Sequence, residues 1–149
     1  MAYSGTCTCG NVEFSFPHDP MMQFQCHCRK CQIAFGSSLA ALAMPENEIE
    51  CEGELKIHTV QGGSGNKMHY YRCAECGVLI YNKPELLEGM IYIPAGLVAD
   101  QIEFTPTVEL WTVNRPNWIT SPNSIVASFE DNGTTERLIE LLENLDQRE

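Results

Sequence analysis

The chain has no long apolar run. None of its 149 residues belongs to a stretch approaching the roughly 20 apolar residues that a membrane-crossing helix needs. It also has little positive charge. Nine Lys and Arg face 20 Asp and Glu, for a net charge of −11. A field of that sign opposes broad binding to phosphate backbones, so no nucleic-acid partner is expected. The opening Met1-Ala2-Tyr3-Ser4-Gly5 lacks a basic stretch followed by an apolar one, as a secretory leader has. A cytoplasmic, reducing location is therefore expected, where paired cysteines read as metal ligands before they read as disulfides. No internal repeat is visible beyond the cysteine pairs. The length suits one domain over residues 1–149.

What the chain does have is cysteine in clusters. Cys26-His27-Cys28-Arg29-Lys30-Cys31 puts three thiols within six residues. Cys7 and Cys9 form a CxC pair, and Cys73 and Cys76 a CxxC pair followed by Gly77. Cys51 stands alone and reads as a buried thiol in a strand.

The rest of the sequence reads as a mainly β domain of short antiparallel strands around these turns. Residues 2–16 suggest a hairpin, with Val12, Phe14 and Phe16 alternating with polar residues after a turn at Gly10-Asn11. Strands are expected over 22–26, 39–44, 67–72, 78–81, 90–94, 101–104 and 108–113. Ile49 to Thr59 suggests two strands joined at Glu52-Gly53-Glu54. Residues 61–66, rich in glycine, read as an exposed loop, and 84–89 as a short helical turn. Near the end, Leu138, Leu141, Leu142 and Leu145 recur at helical spacing, which predicts a C-terminal helix over about 134–147.

Seven clustered cysteines do not make two sets of four. They divide naturally into four and three. Zinc favours four ligands in a tetrahedron, and thiolates satisfy it well. Cys7, Cys9, Cys73 and Cys76 can close one such site, which reads as structural. Cys26, Cys28 and Cys31 can cap a second ion from one bent segment and leave a position open, the mark of a reactive zinc. The rival reading of the trio is a second structural zinc completed by Cys51 or a histidine. For the four, the rivals are free core thiols, a redox CxxC pair or a rubredoxin-like iron site. The ring of His27 is expected to point away from the metal. His18, His58 and His69 stand at isolated positions that suit surface or hydrogen-bonded residues.

The motif order is Gly5-Thr6-Cys7-Thr8-Cys9-Gly10, Cys26-His27-Cys28-Arg29-Lys30-Cys31, Gly36-Ser37, Cys73-Ala74-Glu75-Cys76-Gly77, Ala95-Gly96, then Trp111 with Arg115-Pro116-Asn117-Trp118. Over residues 4–120, approximately, it resembles the glutathione-dependent formaldehyde-activating enzyme family, which includes centromere protein V. The resemblance implies a β-rich fold with two zinc ions. It implies a structural ion on Cys7, Cys9, Cys73 and Cys76, and a catalytic ion on Cys26, Cys28 and Cys31. It also implies a carbon–sulfur lyase activity of the S-(hydroxymethyl)glutathione synthase type. Two positions depart from the family pattern: Arg72 precedes the CxxCG pair where an aromatic is usual, and Glu109 stands where a histidine often precedes the late Leu-Trp.

The expected chemistry starts from a thiol whose ordinary pKa is about 8.5. A thiol such as glutathione, held as thiolate by zinc, attacks a small aldehyde to give a hemithioacetal, and the reverse reaction cleaves the carbon–sulfur bond. Arg29 and Lys30 are candidates to attract a carboxylate of the thiol, and Trp111 and Trp118 to line the core or a cleft wall. The alternative is a zinc-stabilised protein-binding module without catalytic activity, which would have no use for an open metal position.

Overall fold

A computed structural model describes residues 2–63 and 65–131. The helix expected over about 134–147 lies outside the described residues. Among the described residues eleven strands and one α-helix follow in order: β1 (Tyr3–Thr6), β2 (Glu13–Phe16), β3 (Met22–Cys26), α1 (Arg29–Phe35), β4 (Leu39–Pro45), β5 (Glu50–Glu52), β6 (Leu55–Gln61), β7 (Lys67–Cys73), β8 (Leu79–Pro84), β9 (Met90–Pro94), β10 (Val108–Leu110) and β11 (Ala127–Ser128). The protein is mainly β, as the alternating patterns predict.

The strands form two sheets. The smaller runs β1-β2-β5, and the larger runs β11-β10-β3-β4-β9-β8-β7-β6. Most neighbours are antiparallel, but β10 lies parallel to both β3 and β11, so the larger sheet is mixed. The expected hairpin through Gly53 does not form. β5 pairs with β2 in the small sheet, whereas β6 pairs with β7 in the large one. Gly53 makes the crossing, at φ +112°, where a side chain would be strained.

Cross-strand partners share a face, and that rule separates the two sides of the large sheet. Tyr70, Asn82, Tyr92, Ala43 and Met22 form one row across five strands. Beside it run Phe24 with Ala41 and Val108, and Cys26 with Leu39 and Leu110. Leu42, Met44, Tyr71, Tyr81, Ile91 and Ile93 occupy the other face. There they join Tyr3, Phe14 and Phe16 of the small sheet, with Val12 just before β2, in one core. Cys7 and Cys73 belong to that core, while Cys28 and Cys31 belong to the cluster on the first face. The two cysteine sets thus lie on opposite sides of one sheet.

Two strand expectations fail for local reasons. Residues 101–104 are not a strand, because the N–H groups of Gln101 and Ile102 both donate to the carbonyl of Val98 and close a turn. The strand from Val108 stops at Leu110 instead of 113. Trp111 takes a left-handed conformation at φ +60° and opens a 3-10 turn over Thr112–Asn114.

Candidate metal centres

The first centre is built from two turns. In the Cys7–Gly10 turn, Gly10 donates to the Cys7 carbonyl, and the Val12 N–H reaches Cys7 Sγ at 3.3 Å. In the second turn Gly77 donates to the Cys73 carbonyl, and the Cys76 N–H points at Cys73 Sγ at 3.5 Å. Arg72, just before that turn, donates to the Gly77 carbonyl at 3.2 Å and lies over the Tyr70 ring. It braces the turn from outside.

The four sulfurs lie within 4.8 Å of one another. Cys7 and Cys9 are 3.5 Å apart at sulfur, and Cys9 and Cys73 are 3.7 Å apart. A tetrahedron with metal–sulfur arms of about 2.3 Å has edges of about 3.8 Å. The spacing therefore fits a four-coordinate thiolate site. Hydrogen bonds from Thr8 and from the Val78 backbone bring the Cys76 thiol down to about 5.

The second centre is made by β3 and the start of α1. Cys26 ends the strand, and Cys28 caps the helix by accepting from the Cys31 N–H at 3.2 Å. That cap turns the three side chains toward one point, with their sulfurs within 4.8 Å of one another. Cys28 and Cys31 are buried and Cys26 is partly exposed. Hydrogen bonds from the Cys26 and Cys31 thiols, aided by the Cys31 and Lys30 backbone, push Cys28 down to about 3. The Cys28 thiol, with burial, pushes Cys26 up to about 12, and the Cys26 and Cys28 thiols, with burial, raise Cys31 as well. Thiolates this close repel one another, so all three ionise together only around a cation. Among the described residues, no fourth His, Cys, Asp or Glu joins this group. Cys51, on β5, belongs to neither set.

A buried polar network fixes the bend between Cys26 and Cys28. His27 is 0% exposed, and its backbone N–H donates to the Leu110 carbonyl at 3.0 Å. Its Nδ1 lies 2.6 Å from Ser38 Oγ, and its Nε2 lies 3.1 Å from Glu109 Oε1. A carboxylate only accepts, so Nε2 carries the hydrogen. Glu109 Oε2 accepts from Arg115 at 3.0 Å, Ser121 at 2.7 Å and Ser128 at 3.3 Å. Burial alone would raise the Glu109 carboxyl. The hydrogen bonds from Ser121, His27 and Arg115 outweigh it and hold the group below its ordinary range. Gln32 completes the frame by donating to the carbonyls of His27 and Asn114.

In front of the trio lies a cavity of about 80 Å³. Phe24, Leu39, Leu86, Tyr92, Leu110 and Trp111 supply its apolar walls. Gly63 and Asn66 close one side of it. A Cβ on Gly63 would sit 3.2 Å from the Trp111 ring and 3.4 Å from Cys28 Cβ. Lys67 stands among the lining residues, whereas Arg29 and Lys30 are exposed on α1 and do not line the cavity. Trp118 is 69% exposed, so the cleft-wall expectation holds for Trp111 and not for Trp118. A wider groove of about 680 Å³ elsewhere is lined by Glu13, Glu50, Glu52 and Asp100 and contains no clustered cysteine.

The sequence reading missed Gly63, Lys67, Tyr70, Asn82 and Tyr92. One signal was present. Asn82 is an amide directly after the apolar run Leu79-Ile80-Tyr81 within β8, a place where β propensity disfavours it.

Fold and site together define a class: small β proteins that present one four-cysteine and one three-cysteine cluster able to hold a metal ion. The chain belongs to the family of the glutathione-dependent formaldehyde-activating enzyme, whose model matches residues 2–114. A crystal structure of a Rhodobacter sphaeroides protein is similar over 67% of this chain and 91% of its own, at 17% identity and a TM-score of 0.49. None of the curated proteins matches this chain.

Proposed function

We propose that this protein is a zinc-dependent carbon–sulfur lyase-like enzyme that joins a thiol, glutathione or a similar one, to a small aldehyde and reverses the step. The observation that carries this reading is the three-cysteine centre facing an apolar cavity, with no fourth ligand among the described residues. Family membership supports the thiol and the one-carbon aldehyde. The donor chemistry suits zinc at both centres. Cys7, Cys9, Cys73 and Cys76 would hold a structural ion, and Cys26, Cys28 and Cys31 the catalytic one. Zinc held by the trio would supply a Lewis acid and keep a neighbouring thiol in its thiolate form.

The remaining roles belong to the chain. In the forward reaction a sulfur–carbon bond forms, the carbonyl π bond opens, and the thiol proton ends on oxygen. Leu110, Trp111, Tyr92 and Gly63 keep bulk water from the reacting carbon, which protects a hemithioacetal from exchange. Lys67 is placed to attract a carboxylate of the thiol in a protein that otherwise repels anions. Residues 1–149 act as one domain on this reading. No described helix is long and apolar enough to cross a membrane, and we place the protein in the cytoplasm.

Cobalt(II) in place of zinc gives the test. Titration with glutathione should produce a saturable change in the sulfur-to-metal charge-transfer bands, and Cys28→Ser should remove it. If neither glutathione nor simpler thiols shift the bands, the second centre is closed to ligands and a protein-binding role takes precedence.

A further inference from the structure

We propose that Asn82 is the specificity-determining residue of the cavity, selecting ligands that carry a hydroxyl close to the reacting sulfur. The inference deepens the thiol-and-aldehyde reading and rests on it. Asn82 is 1% exposed, lines the cavity, and leaves its Oδ1 without a hydrogen-bond partner. Its cross-strand neighbours on the same face, Tyr70 and Tyr92, line the cavity too. A buried acceptor left unsatisfied destabilises the fold, and most such groups find a partner. An apolar residue of the same shape would suit that row better. Binding accounts for what folding does not.

The size of the space limits the ligand. A cavity of about 80 Å³ holds about two to three times the ≈30 Å³ share of one water. A tripeptide thiol cannot enter it whole. The sulfur and the two or three atoms beyond it can. In a hemithioacetal those atoms include the hydroxyl formed from the aldehyde oxygen. A hydroxyl donates and accepts, so it satisfies the amide through either oxygen or nitrogen. A methyl group in the same place can do neither and leaves the buried Oδ1 unpaired. The part of the ligand that reaches Asn82 is therefore the sulfur with a very small hydroxyalkyl group, and the remaining bulk lies outside the cavity.

The test uses two thiols of equal length, 2-mercaptoethanol and 1-propanethiol, titrated into cobalt-substituted native protein and Asn82→Leu. Native protein should bind the hydroxylated thiol about tenfold or more tightly than the apolar one. Asn82→Leu should lose or invert that preference while melting at the native temperature or above. Equal binding of both thiols by native protein overturns the proposal while leaving thiol binding intact. So does a preference that survives in Asn82→Leu. A much lower melting temperature for Asn82→Leu also overturns it, because Asn82 would then serve the fold. If neither thiol binds native protein, the thiol-and-aldehyde reading itself fails, and this proposal with it.

Discussion

Replacing Glu109 separates its shape from its charge. Glu109→Leu removes the acceptor of four side-chain hydrogen bonds, from His27, Arg115, Ser121 and Ser128. The serines can turn to other partners. The His27 ring, 0% exposed, and the Arg115 guanidinium, on a side chain 29% exposed, cannot do so as easily. Arg115 Nε already lacks a partner, so the guanidinium depends heavily on this carboxylate. Breaking a buried charge pair from one side costs about 3–5 kcal/mol. For a chain of this size each kcal/mol shifts the melting temperature by about 2–4 °C, so a fall of about 6–20 °C is expected. Glu109→Gln keeps the volume and one acceptor oxygen. Its amide can donate to His27 Nε2 if the ring moves its hydrogen to Nδ1, where Ser38 Oγ can accept it. That variant loses only the charge assistance, about 1–2 kcal/mol.

The pH dependence gives a second reading of the same variants. A carboxyl held below its ordinary value stabilises the fold fully above the unfolded pKa, about 4.3, and that stability is lost as pH falls through the folded value. The stability gap between native protein and Glu109→Gln should therefore stay constant from pH 7 to about 5 and close in more acid solution. Urea melts at several pH values measure it. Equal melting of the Leu and Gln variants would refute the account, as would a gap that persists undiminished to pH 3.

Cys73→Ser and Cys28→Ser should each lower bound metal from two ions per chain to one, yet differ in stability. Cys73→Ser opens the centre that joins the two turns, and a loss above about 3 kcal/mol, some 6–12 °C in melting temperature, is expected. Cys28→Ser should abolish thiol binding with a smaller fall, and equal melts would contradict the division of roles. Gly53→Ala should cost at least about 2 kcal/mol, since its φ is +112° and the new Cβ would lie 2.2 Å from the Asn11 carbonyl oxygen. Chemical denaturation reads that loss directly. Lys67→Glu should weaken binding of glutathione about fivefold at low salt, for an interaction worth about 1 kcal/mol, and leave a neutral thiol unaffected.

The cysteine sets were legible because chelation by short-range pairs leaves a spacing signature. CxC, CxxC and the compact trio name their own groups, and the structure brings all seven sulfurs into those two clusters. Strands such as Met22–Cys26 and Met90–Pro94 were legible because alternation survives where one face is buried. Sheet membership was not. Nothing local to Glu52-Gly53-Glu54 says that the chain leaves one sheet for the other, because that choice is made by Phe14 and Tyr71, far away in sequence. The break at Trp111 was hidden for a similar reason. A tryptophan has no preference for φ +60°, and the turn is held by bonds from Trp111 to Asp131 and from Asn114 to Trp111. The cavity lining escaped because Tyr70, Asn82 and Tyr92 meet only through strand pairing.

The two centres also differ in when they can be completed. The three thiols of the trio lie within six residues, so all are present once Cys31 has left the ribosome, although Glu109 and Leu110, which fix their bend, come far later. Cys9 must wait for Cys73, 64 positions later. Five of the seven clustered thiols therefore emerge before either member of the last pair exists. A metal ion captured early by Cys7 and Cys9 together with part of the trio would be held by the wrong set. Formation of the β3–β4 wall ends that competition, because the two groups then face opposite ways. In the folded chain the large sheet keeps the two sets of ligands apart.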